Sequence, residues 1–87
     1  MIARKITYKG NFDQKCIGEI YDITRKAEIT GQVKAENNTE VVLNLEGDAA
    51  IIKLIQHQIE RKVKTAITDK KVEDMPYKNY IGVIFLT

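Results

Sequence analysis

Hydrophobic and polar positions change period several times along the chain, and each change predicts a new element. Residues 2–9 alternate, with Ile6 and Tyr8 in one phase, which predicts a half-buried strand. Gly10 and Asn11 break the alternation, and from about Asp13, the predicted N-cap, the period becomes helical. The predicted apolar stripe of this helix comprises Cys16, Ile20, Ile23 and Ala27, with Ile17, Tyr21 and Thr24 beside it.

The second half of the chain predicts a hairpin, a second helix and more strands. Residues 29–35 and 40–45 read as two strands joined by the polar turn 36–39. Asp48 is the predicted N-cap of a helix. Its apolar stripe is Ile51, Ile52, Ile55 and Ile59, and its predicted exposed face carries Lys53, Gln56 and Glu60. Residues 63–72 are in strand-like order, and residues 82–86 form a last strand after Pro76.

The order of these elements predicts the fold class. Strand, helix, strand, strand, helix, strand is the split β-α-β arrangement, an α+β, ferredoxin-like sandwich whose antiparallel sheet carries two helices on one face. With 87 residues and 44% hydrophobic content, residues 1–87 are expected to form a single domain with one core. Because many unrelated functions use this architecture, the fold alone identifies none of them.

Charge and composition narrow the function classes only a little. A net charge of +2 is far from the concentrated basic surface of a dedicated nucleic-acid binder, and the chain has no tryptophan for a base-stacking platform. The single cysteine, Cys16, excludes an internal disulfide. Because no apolar run follows the N-terminal residues, we expect a cytoplasmic protein without a membrane segment.

The middle of the chain carries a family resemblance. Gly31-Gln32-Val33, followed by Glu40-Val41, Glu46-Gly47 and the isoleucines of the second helix, resembles the acylphosphatases. Their corresponding run reads Gly-Trp-Val-x-Asn, then Gly-Thr-Val, then a glycine that starts a helix. The spacing between Gly31 and Gly47 matches, and the tail is similar in its proline, aromatic and closing strand. The likeness covers residues 2–86 in element order and chiefly 29–60 in detail.

The resemblance implies a specific chemistry. Acylphosphatases hydrolyse acyl phosphates with a Gly-rich loop between the first strand and first helix, ending in an arginine, and with the asparagine of the Gly-Trp-Val-x-Asn run. Backbone N–H groups cradle the phosphate, the guanidinium forks onto its oxygens, and the amide positions the attacking water.

This sequence departs from the family pattern at each of these positions. The arginine position falls on Ile17 when counted from Gly31, or on Gly18 when counted from Gly10, and the asparagine position falls on Ala35. The loop 10–15 has one glycine and contains Asp13, whose carboxylate would repel an anionic substrate. The prediction is therefore an acylphosphatase-like domain with a degenerate active site, which lacks this hydrolysis and works as a binding or structural domain.

Two alternatives stay open. In an acylphosphatase-type hydrolase with an altered anion site, Gly10, Asn11, Gln14 and Lys15 would hold the phosphate. In a nucleic-acid or regulatory ligand-binding module, the basic cluster 61–71 would form one positive face, whereas a solvated sheet edge protected by lysines explains the same residues. The cluster consists of Arg61, Lys62, Lys64, Lys70 and Lys71.

The remaining candidates favour structural roles. His57 has no relay partner in the sequence, and Cys16 reads as a small buried hydrophobe, although a helix N-terminus can activate a thiol. One Cys and one His offer no metal-ligand spacing, so no metal and no cofactor are predicted. Tyr77 and Tyr80 mark a loop that could contact a protein partner, whose identity the sequence does not indicate.

Overall fold

A computed structural model describes residues 1–86 of the chain; residue 87 of the predicted domain lies outside them. The five strands form one sheet in the order β4-β1-β3-β2-β5, and both helices cover one of its faces. This confirms the predicted ferredoxin-like sandwich. The elements are β1 (Ile2–Gly10), α1 (Gln14–Lys26), β2 (Thr30–Glu36), β3 (Glu40–Gly47), α2 (Ala49–Lys62), β4 (Ile67–Asp74) and β5 (Val83–Leu86).

The last strand corrects the prediction of an antiparallel sheet. β5 pairs in parallel with β2, whereas the other pairings are antiparallel. The reason is the path of the chain, since β4 and β5 occupy opposite edges of the sheet. Residues 75–82 cross at the end where β2 starts, so β5 must run in the same direction as β2. Its place is fixed on α1, because the Tyr21 ring lies 4.5 Å from that of Phe85 and the Tyr21 hydroxyl donates to Leu86 O at 3.2 Å.

The start of β4 was predicted too early. Residues 63–66 form a turn that follows α2 and not the beginning of a strand. The Val63 N–H donates to Ile59 O, and the Ala66 N–H donates to Val63 O at 2.9 Å. Both side chains are buried in the core. Val63 and Ala66, three residues apart, thus face the core from a tight turn, and the alternation typical of a strand begins only with β4.

Both predicted helix caps are confirmed. The Asp13 carboxylate accepts from the Cys16 N–H at 2.8 Å, and that of Asp48 accepts from the Ala50 N–H at 2.8 Å. The predicted stripe of α1 is confirmed only in part: Ile20 is buried as predicted, but the other buried residues are Ile17 and Thr24, whereas Cys16, Ile23 and Ala27 are half-buried. The buried Thr24 hydroxyl is satisfied by a hydrogen bond that it donates to Ile20 O at 2.9 Å.

The predicted exposed face of α2 is wrong at two positions. Gln56 and Glu60 are half-buried because they bond to side chains of β1. The Tyr8 hydroxyl donates to Glu60 Oε2 at 2.9 Å, and Arg4 donates to Gln56 Oε1 at 3.3 Å. Burial, followed by the bond to Glu60, raises the pKa of Tyr8. The two side-chain bonds, Tyr8 to Glu60 and Arg4 to Gln56, hold α2 over β1.

The core lies between the helices and the sheet. Its fully buried side chains come from both helices and from β1, β2 and β3, with Phe12 from the loop between β1 and α1. The opposite face of the sheet is mostly polar, but residues 75–82 cross one end of it and bury Ala3 and Glu46 there. No helix among residues 1–86 is long and apolar enough to cross a membrane.

Candidate functional site

The loop between β1 and α1 is the position at which the family resemblance implies a phosphate cradle. In the described structure the backbone N–H groups of residues 10–12 already have protein acceptors. The Gly10 N–H donates to Thr39 O at 3.0 Å and the Asn11 N–H to Ala66 O at 2.9 Å. The next one, of Phe12, donates to Asn38 O at 2.7 Å. Three successive donors are thus directed at neighbouring turns of the same chain.

The geometry explains the glycine in this loop without a ligand. A Cβ atom at Gly10 would lie 1.8 Å from Ala66 O, so only glycine allows β1 to approach the turn that follows α2. The ladder between β1 and β4 shifts register at this point. Gly10 therefore supports the close packing of two backbone segments.

Phe12 ties the loop to the core, and Asp13 caps the start of α1. Phe12 is completely buried, so it holds the loop against the core. Asp13 places its carboxylate on the Cys16 N–H, and this backbone bond holds the pKa of Asp13 below its ordinary value. A negative group of the chain itself occupies the end of the helix that would attract an anion.

The positions at which the resemblance implies catalytic residues carry no polar side chain. Ile17 is buried in the core at the start of α1, and Ala35 is buried on β2 opposite Val41. Gly18 differs from Ile17, because a Cβ atom there would have no neighbour within 4 Å. A long side chain could therefore extend from position 18 into solvent, but not from position 17.

The side chains proposed for an altered anion site are exposed. Asn11 lies in the loop, and Gln14 and Lys15 form the first residues of α1. Lys15 follows Asp13 closely enough for its charge to help lower the pKa of that carboxyl. These three exposed side chains are thus near the Asp13 carboxylate along the chain.

The other reactive side chains do not form a site. Cys16 is half-buried, and desolvation, followed by the neighbouring Asp13, raises the pKa of its thiol, which disfavours the nucleophilic thiolate. His57 is exposed on α2. The described residues contain no group of three or more His, Cys, Asp or Glu side chains placed to hold a metal ion.

The basic residues 61–71 are divided between surfaces. Lys70 faces α2 and pairs with Glu60 at 3.0 Å, whereas Lys71 lies on the opposite face of β4 and pairs with Glu73 at 2.8 Å. Arg61 and Lys62 end α2, where cations stabilise the helix dipole. With Leu54 and Ile55 they also line an open groove of about 750 Å³ between the two helices, which includes none of the anion candidates.

Glu46 is a buried binding group for backbone N–H donors that was not predicted from the sequence. Its side chain is 3% exposed and accepts backbone N–H bonds from Lys78, from Asn79 at 3.2 Å and from Tyr80 at 3.0 Å. These bonds, that of Lys78 above all, lower the pKa of Glu46. The sequence carries no signal for this role, because Glu46 lies in the polar phase of β3 together with Glu40 and Asn44, where an exposed carboxylate is expected.

Comparisons with known proteins agree on the fold. No protein-family model and no curated protein matches the sequence. An acylphosphatase from Bacillus subtilis superposes with a TM-score of 0.79 at 16% identity, covering 100% of this chain and 99% of that one. An acylphosphatase from Coxiella burnetii gives a TM-score of 0.81 at 15% identity, with 97% and 90% covered.

The same fold also occurs inside a larger protein. HypF from T. kodakarensis superposes with a TM-score of 0.77 at 18% identity, and the match covers 100% of this chain but 12% of that protein. At these identities the likeness concerns the fold and not the chemistry. The described residues thus form a domain with the acylphosphatase-like fold.

Proposed function

We propose that this chain is an acylphosphatase-like domain that does not hydrolyse acyl phosphates and acts by binding, with a protein as its partner. The observation that carries the proposal is the engagement of the loop donors of Gly10, Asn11 and Phe12 by carbonyl groups of the chain. A phosphate bound at this loop would have to replace three hydrogen bonds that hold β1 against two turns.

Electrostatics supports the same conclusion. The Asp13 carboxylate caps α1 and has a lowered pKa, so it is ionised at neutral pH. A phosphate brought to this helix end would meet a negative charge within a few ångströms, where cradles of this kind rely on positive potential.

The missing side chains remove the rest of the chemistry. Neither Ile17 nor Gly18 can fork onto phosphate oxygens, and Ala35 cannot orient a water molecule. Removing one such transition-state donor from an enzyme costs about 3–4 kcal/mol in barrier height. The loss of two donors and the cradle leaves no useful rate enhancement.

A partner and a location complete the proposal. The exposed residues Tyr77 and Ile81 and the strand β5 offer apolar contact area, which suits a protein partner. The separation of Lys70 from Lys71 and their pairing with carboxylates favour a protein over a nucleic acid. We place the domain in the cytoplasm, as its sequence predicts.

The first test is hydrolysis of benzoyl phosphate by the purified protein, with an active acylphosphatase as positive control. We expect no turnover above the buffer background. A matched pair of variants distinguishes the alternative: turnover that is lost in Lys15→Ala but kept in Lys53→Ala, a change at an exposed lysine of α2, would establish an altered anion site and refute the proposal.

A second test asks whether side chains alone were lost. The double substitution Gly18→Arg and Ala35→Asn supplies both family groups, and position 18 has room for the new side chain. We expect this variant to remain inactive because the loop donors stay engaged. Hydrolysis of benzoyl phosphate by the folded double variant would show that the loop still forms a cradle.

A further inference from the structure

The two edges of the sheet differ sharply in chemistry. The edge strand β4 carries Asp69, Lys70, Lys71, Glu73 and Asp74. Charged side chains of this kind discourage another strand from pairing with an edge. The edge strand β5 has the sequence Val-Ile-Phe-Leu and no charge. Its residues Ile84 and Leu86 are 43% and 40% exposed, and Ile81 just before it is 94% exposed.

Among residues 1–86, no strand pairs with the outer side of the β5 backbone. The Gly31 N–H donates to Gly82 O at 3.0 Å, which orients Gly82 toward β2. Successive residues of a strand direct their backbone N–H and C=O groups to opposite sides. The backbone groups of Ile84 and Leu86 therefore also point toward β2, whereas those of Val83 and Phe85 point away from the sheet. Two donors and two acceptors therefore lie along an uncharged edge.

We propose that β5 is a self-association edge, at which a second copy of this chain adds its own β5 in antiparallel orientation. The outward groups are self-complementary under a two-fold axis through Ile84. Val83 of each copy forms a hydrogen-bonded pair with Phe85 of the other, and the two Ile84 residues face each other directly. Both five-stranded sheets join into one continuous sheet.

The charges near this edge permit the pairing. The chain carries a net charge of only +2, so two copies repel weakly. The guanidinium of Arg25 lies 5.3 Å from the centre of the Phe85 ring and is paired with Asp22 at 3.0 Å. Lys34, the register partner of Leu86 on β2, is paired with Glu36 at 2.9 Å. The opposite edge offers no such match, since pairing β4 with itself would align several charged residues.

The size of the contact sets the expected affinity. A four-residue strand with its flanking isoleucine covers less than the roughly 800 Å² per partner of a standard interface. The association is therefore weak, with a dissociation constant on the order of 100 μM. Such a contact forms at high local concentration and reverses on dilution.

Oxidative cross-linking tests the register. In a Cys16→Ser background, Ile84→Cys places two thiols in a directly opposed, non-hydrogen-bonded pair, at about 4.5 Å between Cα atoms, which suits a disulfide. Val72→Cys on β4 is the matched control, since Val72 is 42% exposed on the other edge. We expect a disulfide-linked dimer at least tenfold faster for position 84. Equal rates at both positions would overturn the proposal.

Sedimentation velocity tests the association itself. We expect the wild-type chain to show concentration-dependent dimer between about 10 μM and 1 mM, which brackets the expected dissociation constant. Ile84→Lys should be monomeric throughout, whereas Val72→Lys should dimerise like the wild type, with circular dichroism to verify that both are folded. A monomeric wild type at about 1 mM, or loss of dimer in Val72→Lys alone, would refute the β5 contact.

Discussion

Gly10 and Gly18 lie on either side of the candidate anion loop, and their surroundings are opposite. A Cβ atom at Gly10 would overlap Ala66 O, whereas one at Gly18 would have open space. We predict that Gly10→Ala lowers the free energy of unfolding by about 3 kcal/mol or more, because backbone must move. Gly18→Ala should raise it by about 0.5–1 kcal/mol, since alanine is the better helix former.

Urea unfolding of the two alanine variants measures this difference. If Gly10 served a phosphate cradle and not the packing of the turn, Gly10→Ala would be as stable as the wild type. The comparison therefore separates a structural glycine from a functional one at the loop.

At the level of elements, Glu46 joins β3 to residues 75–82 and so holds the connection to β5. Its carboxylate accepts three backbone bonds, and its pKa lies below the ordinary value of 4.5. A folded pKa below the unfolded one contributes stability that is complete above about pH 4.5 and is lost as the pH falls through the lowered value. We predict that acid first loosens residues 75–82.

Hydrogen exchange of the amides of residues 78–80 between pH 2 and 7, corrected for the intrinsic pH dependence of exchange, tests this prediction. Glu46→Gln should expose these amides already at neutral pH and abolish the acid dependence, because a side-chain amide brings its own donors toward three backbone donors. Glu28→Gln, at an exposed position, serves as control and should behave like the wild type. Protection that stays constant down to pH 2 in the wild type would contradict the assigned role.

For the whole molecule, one core between the sheet and the helices provides most of the stability. Leu43 on β3 is completely buried, whereas Leu54 on α2 is 53% exposed at the groove between the helices. We predict that Leu43→Ala lowers the free energy of unfolding by about 2–5 kcal/mol, which is a large share of the total for a domain of this size. Leu54→Ala should change it by less than about 1 kcal/mol.

The midpoint of urea unfolding, followed by circular dichroism, measures both leucine variants. Similar losses of unfolding free energy in both variants would mean that Leu54 is buried in solution and that the groove between α1 and α2 contributes to the stability as the core does. A loss confined to Leu43→Ala supports the single core.

The sequence by itself determined the features that arise from neighbours along the chain. Asp13 and Asp48 cap their helices because the bonded N–H groups lie two or three residues away, and the hairpin turn and the apolar stripe of α2 follow from local periodicity. The departure from the family pattern at positions 17, 18 and 35 is also a prediction of the sequence alone, since it needs only a count from two glycines.

Only the tertiary structure decided what depends on distant partners. The donors of the loop 10–12 meet carbonyl groups of residues 38, 39 and 66, and Glu46 meets residues 78–80. The direction of β5 follows from a crossing between opposite sheet edges. No periodicity encodes these contacts, because each joins segments that folding alone brings together, and a buried polar group takes whichever partner the packed chain presents.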